Sequence, residues 1–231
     1  IGNVNYPFIP FVHLLESTKG QIFLEGKDIT HVKGKELAAA REQMQIMFQD
    51  PYSSLDPRKT LEQTISEPLL VSKRFKEAEM YEKAQELMEL VGIDQRLAKA
   101  YPHELDGGRR QRVGFARALA LDPKFIVCDE PVSALDVSVQ AQIINLFKDL
   151  QEQMGLTYLF IAHDLSVVKY LSTRIAVMYL GELVEISDKE TIFANPMHPY
   201  TQALMSAIPK PNPRLERHRI ILSGDVPNPA D

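Results

Sequence analysis

Two short apolar runs, Phe125-Ile126-Val127-Cys128 and Tyr158-Leu159-Phe160-Ile161-Ala162, each give way abruptly to polar residues. Runs this short and this continuously apolar suit strands buried on both faces, as in a parallel sheet. Between them Ile143, Ile144, Phe147 and Leu150 fall on one face of a helix, with Asp136 placed to cap its start. Strand, helix and strand in that order make a βαβ unit, which places ligands at the carboxyl ends of its strands. The chain is therefore expected to be α/β.

The remaining pattern fills in around that unit. Residues 21–33 read as a hairpin turning at Gly26-Lys27-Asp28, and 43–48 (QMQIMF) as a short strand ending at Gln49. The stretch 50–58 (DPYSSLDPR) is loop, because Pro51 and Pro57 interrupt regular structure. Met80, Ala84, Leu87, Met88 and Val91 fall at helical spacing over 76–91, where Gly92 stops the run, and another helix runs from Gly107-Gly108 to about Ala120. The tail from about residue 195 holds seven prolines and reads as an extended arm. No internal repeat or low-complexity tract is present.

Composition narrows the class. A chain of 231 residues, 45% hydrophobic and 25% charged, suits one large domain or one domain with a subdomain, and can bury a sizeable core. A net charge of −5 weighs against a nucleic-acid partner. No window approaches the roughly 18 apolar residues of a membrane span. Residues 1–15 lack a basic start and contain two prolines, which makes a poor signal peptide. A single cysteine, Cys128, excludes an internal disulfide and fits a reducing compartment. The expectation is a soluble cytoplasmic domain.

The chemistry concentrates at four segments. Phe125 to Glu130 is an apolar strand that delivers Asp129 and Glu130 to its carboxyl end, where one carboxylate can hold Mg²⁺ and the other can activate a water attacking a γ-phosphate. Alone, such a pair is more often the start of a solvated loop. Pro131 to Asp136 follows directly, and the next strand ends in Ala162-His163-Asp164. A histidine there can hydrogen-bond a γ-phosphate or simply begin a helix. Leu105-Asp106-Gly107-Gly108-Arg109 sets two glycines and a basic run at a helix N-terminus, which offers free N–H groups and positive dipole to a phosphate. The bland alternative is a glycine-opened helix with a solvated basic face.

Together these segments resemble the ATP-binding subunits of ABC transporters. FQDPYSSLDPR (48–58) looks like their Q-loop, YPHELDGGRRQRVGFARALA (101–120) like their signature motif and helix, FIVCDEPVSALD (125–136) like their Walker B and D-loop, and IAHDLSVV (161–168) like their switch-histidine region. The order and spacing match from about residue 13 to the end. The Q-loop sequence, the YPHEL lead-in and the tail MHPYTQALMSAIPKPNP with GDVPNP resemble the oligopeptide and dipeptide importers and their nickel-importing relatives.

The resemblance implies a P-loop NTPase core, about 1–49 and 122–195, with a parallel sheet, a small antiparallel hairpin region and an inserted helical subdomain at about 50–121. A Pro-rich arm follows from about 195 to 231. It implies ATP and Mg²⁺ as cofactors, with Gln49 touching Mg²⁺ and the attacking water, Asp129 holding the metal, Glu130 as catalytic base and His163 at the γ-phosphate. Asp136 would lie across a dimer interface, and Leu105, Asp106, Gly107, Gly108 and Arg109 would face the γ-phosphate bound by the opposite subunit. The implied partners are transmembrane permease subunits, contacted by the segment after Gln49, and a second ATPase subunit. Nucleic acid is not among them, and the transported peptide is not contacted directly. The implied location is the inner face of the cell membrane.

Two departures stand out. Where the family has GxxxxGKS/T, whose N–H groups wrap phosphates, this chain has Ile1 to Phe11 with one glycine, no lysine and two prolines. The expectation is that the phosphate loop and the strand before it are missing. Truncation, frame shift or residues outside these 231 would explain it, as would a degenerate subunit that lends its signature motif to a partner. Second, Asp106 and Arg109 stand where the family pattern LSGGQ has serine and glutamine, so a carboxylate and a guanidinium both face the phosphate position. Relatives also carry a cysteine cluster after a GDVP-like segment. With Cys128 alone, no iron–sulfur centre is expected here.

Overall fold

The computed structural model describes residues 17, 19–50, 54–208 and 220. They fall into two compact units, one ending at Ala162 and the other beginning at His163. The first opens with a hairpin, in which β1 (Phe23–Leu24) and β2 (Lys27–Asp28) pair antiparallel. The turn residues Glu25 and Gly26 have φ of 51° and 76°, the pair of left-handed residues whose twist suits a two-residue hairpin. The turn thus sits one residue earlier than the expected Gly26-Lys27-Asp28.

Helix α1 (Gly34–Gln43) runs directly into β3 (Met44–Met47). α2 (Leu61–Ser72) starts at a capping box, where Gln63 N–H donates to Thr60 Oγ1 (3.3 Å) and Thr60 N–H to Gln63 Oε1 (2.9 Å). Its Leu61, Ile65 and Leu69, one turn apart, are fully buried despite Pro68 in the same helix. α3 (Glu77–Leu90) buries Met80, Ala84, Leu87 and Met88, the stripe anticipated from the sequence, and Gly92 turns the chain at φ 73°. Then come α4 (Gly107–Leu119), β4 (Phe125–Asp129), α5 (Val137–Met154) and β5 (Thr157–Ile161).

The parallel sheet has the order β3-β4-β5 among the described residues. Met47 pairs with Cys128, and Asp129 with Ile161, so the three carboxyl ends lie side by side. α5 is the crossover of the expected βαβ unit, capped by Asp136 and ended by Gly155 at φ 64°. One face of the sheet packs Val127 with Ile29, Ala40 and Met44. Elsewhere Phe147 of α5 stacks on Phe115 of α4 (4.4 Å between centroids) and meets Tyr158 and Phe160 of β5 edge-on at 5.4 and 5.7 Å. This cluster welds α4 to the sheet layer.

In the second unit α6 (Leu165–Leu171) precedes a hairpin of β6 (Arg174–Tyr179) and β7 (Glu182–Asp188), turning at Leu180 and Gly181 with φ of 49° and 84°. α7 (Lys189–Ala194) and α8 (Pro199–Ser206) follow, and Ile175, Val177 and Ile192 form its core. The extended arm expected from about 195 is therefore helical over Pro199–Ser206: Pro199 at the first helical position fixes a helical φ, and the His198 ring accepts the Tyr200 N–H. The expected loss of the phosphate loop falls on residues 1–11, outside the described residues.

Candidate active site

Ile126, Val127 and Cys128 are wholly buried, which fixes β4 in the sheet and pushes Asp129 and Glu130 out of its carboxyl end. Burial raises the Cys128 thiol strongly, so it stays a neutral core residue. The Asp129 carboxyl is also raised, first by its partial burial and then by the negative charge of Glu130. Glu130 has φ 44°, a left-handed conformation that non-glycine residues adopt at a cost. Its N–H donates to Ile161 O (3.0 Å), and its carbonyl accepts from both the N–H and the hydroxyl of Ser133 (3.2 and 3.0 Å). Those bonds hold the bend that turns the side chain out of the strand.

The neighbouring strand supplies the decisive contact. Gln49, two residues beyond β3, donates from Nε2 to Glu130 Oε2 at 2.8 Å, across 81 residues of sequence. The parallel register causes this, since Met47 is level with Cys128 and each chain continues outward past its strand end. The amide donor aims the carboxylate. The side-chain oxygens of Gln49 and Asp129 are hard donors of the kind Mg²⁺ takes. Among the described residues no group of three or more His, Cys, Asp or Glu forms a metal cage. Mg²⁺ held by one carboxylate together with substrate phosphates needs no such cage, so the donor set fits.

A second cluster sits at the start of α4. Asp106 is the N-cap: its Oδ1 accepts the Arg109 N–H at 2.7 Å, and its Oδ2 lies 3.5 Å from Arg109 Nε. The two departures from the family pattern thus pair with each other. Leu105 is buried, anchoring the loop before the cap. The basic run is not simply a solvated face. Arg110 donates to Leu105 O (3.0 Å) and Arg112 to Val91 O (2.6 Å), tying α4 to its own lead-in and to the end of α3.

Gly107 and Gly108 have a packing role that sequence reasoning missed. A Cβ at Gly108 would stand 2.4 Å from Val139 Cγ1, and one at Gly107 would stand 3.2 Å from Leu135 Cδ2. The glycines let α4 approach the first turn of α5 and the loop before it. The only signal available was the glycine pair itself, which gives no partner. Asp136 lies between those two contacts as the cap of α5. It accepts the Val139 N–H (3.0 Å) and the Ser138 hydroxyl (2.7 Å), which hold its carboxyl below the usual range. His163 opens the second unit, immediately before Asp164, whose Oδ1 accepts the Ser166 N–H and caps α6. The structure therefore joins Gln49 with the Asp129-Glu130 pair, and Leu105 to Arg109 with the flanks of Asp136.

Comparison with known proteins agrees with this geometry. A family model described as ABC transporter matches residues 10–133, and one described as the C-terminal region of oligopeptide/dipeptide transporters matches 184–231. The chain is similar to two Bacillus subtilis (strain 168) proteins named oligopeptide transport ATP-binding proteins. One is OppF, 52% identical over 90% of this chain and 69% of the relative, and the other is AppF, 49% identical over 95% and 68%. Among solved structures, the dimeric ATP-binding cassette MJ0796, in a post-hydrolysis state bound to ADP and Pi, matches with a TM-score of 0.68. It is 29% identical, over 79% of this chain and 78% of that one. The chain belongs to the ABC transporter family, in its oligopeptide/dipeptide branch.

Proposed function

We propose that this chain is the ATP-hydrolysing subunit of an importer that carries oligopeptides or dipeptides across the cell membrane. The observation that carries the reading is the Gln49–Glu130 hydrogen bond at the carboxyl ends of adjacent parallel strands. By family the chain is an ATPase. In the mechanism Glu130 accepts the proton of the attacking water at Oε1 or Oε2, and Gln49 keeps that carboxylate aimed. Asp129 and the Gln49 carbonyl oxygen would hold Mg²⁺, which when bound neutralises phosphate charge. His163 would hydrogen-bond the γ-phosphate. Leu105, Asp106, Gly107, Gly108 and Arg109, with Asp136, would face the nucleotide of a second ATPase subunit.

The permease would be contacted by the segment after Gln49, and residues 50–121 would act as the helical subdomain inserted into the core. Among the described residues no helix is long and apolar enough to cross a membrane, which suits a subunit peripheral to its inner face. Reconstitution with permease and receptor tests the reading. Oligopeptides or dipeptides should stimulate ATP turnover severalfold. Stimulation by nickel ions and not by peptides would overturn it.

A second reading rests on Ile1 to Phe11, which offers no lysine and two prolines where a phosphate cradle belongs. The chain would then lend its signature segment to an intact partner while its own site stays empty. Losing two charge-assisted phosphate bonds, each about 1.5–3 kcal/mol, takes a micromolar ligand to about millimolar. Calorimetry should show no saturable Mg-ATP binding at roughly tens of micromolar by this chain alone, and one ATP per heterodimer with the partner. Two ATP per heterodimer would sink the one-sided reading.

A further inference from the structure

Arg117 lies on α4 ten residues beyond Gly107, well away from the signature segment. Its neighbours in the basic run bond within the helices around α4, but Arg117 points elsewhere. Its Nη1 donates to the carbonyl of Ser54 at 2.6 Å, across 63 residues. Ser54 N–H in turn donates to Asp50 O at 3.2 Å, and Asp50 directly follows Gln49, whose amide meets Glu130. A continuous line of bonds therefore runs from the body of α4 to the side chain at the end of β4.

The surroundings of Arg117 make that bond costly to hold for packing alone. Its side chain lines a cavity with Gln45, Ile46, Phe48, Ser54, Pro68 and Ala118. Burial lowers its pKa, opposed by the charge of Glu67. A methionine would fill much of the same space without the desolvation cost of a guanidinium. What only a cationic donor supplies is a short, charge-assisted bond to a backbone carbonyl.

We infer that Arg117 is a positioning residue for the hydrolytic site, holding the Ser54 carbonyl so that the Ser54 N–H keeps its bond to the Asp50 carbonyl and Gln49 is presented to Glu130. Any shift of α4, whose N-terminus carries the signature segment, is then passed through Arg117 to Gln49. The inference rests on the proposed function for its consequence in turnover, but its geometry does not depend on it.

Two substitutions in the full chain separate donation from packing. Arg117→Lys keeps a cationic donor, and Arg117→Met keeps apolar volume without one. In Arg117→Met, amide exchange at Ser54 should quicken by at least about tenfold while that at Ile126 in β4 changes by less than about twofold. Arg117→Lys should stay within about threefold of the parent at both positions. In the assembled importer, Arg117→Met should lower kcat about tenfold with KM within about twofold, and Arg117→Lys should retain most of kcat. A wild-type-like Ser54 in Arg117→Met, equal acceleration at Ser54 and Ile126, or a lysine variant matching the methionine one would overturn the assignment. The exchange measurement needs no nucleotide, so it decides the positioning role even if the importer shows no peptide-stimulated turnover.

Discussion

Asp129 is held at the end of β4 at some expense to the fold, because partial burial and the charge of Glu130 both disfavour its ionised form. A raised folded-state pKa means the folded chain binds this proton more tightly than the unfolded one. Stability therefore falls as pH climbs from the ordinary carboxyl value of 3.8 through the raised value, and stays lower above it. Asp129→Asn should remove that loss, raising the melting temperature at pH 7 in the absence of Mg²⁺ by about 1–4 °C and not at about pH 3. Equal melting temperatures at pH 7 would show that Asp129 carries no such cost. Asp136 has the opposite sign: the Val139 N–H and Ser138 hydroxyl hold its carboxyl low, so its contribution is present above pH 3.8 and fades below. Gln49 is marked by the family resemblance, but its bond to Glu130 is invisible in the sequence. Its partner lies 81 residues away, and the register of two parallel strands brings the two segments together.

At the scale of elements, α4 and α5 meet where Gly108 faces Val139. Gly108→Ala places a methyl carbon where 2.4 Å separates it from Val139 Cγ1, an overlap that costs about 1–3 kcal/mol. Adding Val139→Ala should return most of that loss in urea unfolding, a coupling of about 0.5–3 kcal/mol. Simple additivity of the two losses would mean that the helices do not touch there. The same contact makes Gly108→Val a poor probe of phosphate approach, since it disturbs packing within the chain.

The elements legible in sequence were those whose own residues carry the period. β4 and β5 are continuous apolar runs, and the stripes of α3 and α5 repeat at helical spacing. α2 was hidden because Pro68 interrupts its pattern, although Leu61, Ile65 and Leu69 lie on one buried face. The hairpin at Leu180-Gly181 was hidden because its left-handed turn uses leucine in place of the asparagine or aspartate that usually marks such turns. α1 carries little sequence signal because its Gly-Lys-Glu-Leu-Ala-Ala-Ala run shows almost no apolar face, with Ala40 alone buried.

For the whole molecule, the hydrolytic end and the signature end are built by different means. Gln49 and Glu130 are aligned by strand register, whereas Leu105 to Arg109 are aligned by a cap and a glycine contact between helices. Arg117 links the two, so a disturbance at one end is read at the other. The signature segment was legible as a motif, but its Asp106–Arg109 pairing required the folded cap. The central claim is that Glu130, aimed by Gln49, is the base that activates water. In a chain fitted with a GxxxxGKS/T loop ahead of its hairpin, the rate of phosphate release from Mg-ATP tests this directly, comparing Glu130 with Glu130→Gln. Turnover should fall by about 100-fold or more with ATP still bound, because the amide keeps the shape and loses the base. A rate within about twofold of the parent would contradict it.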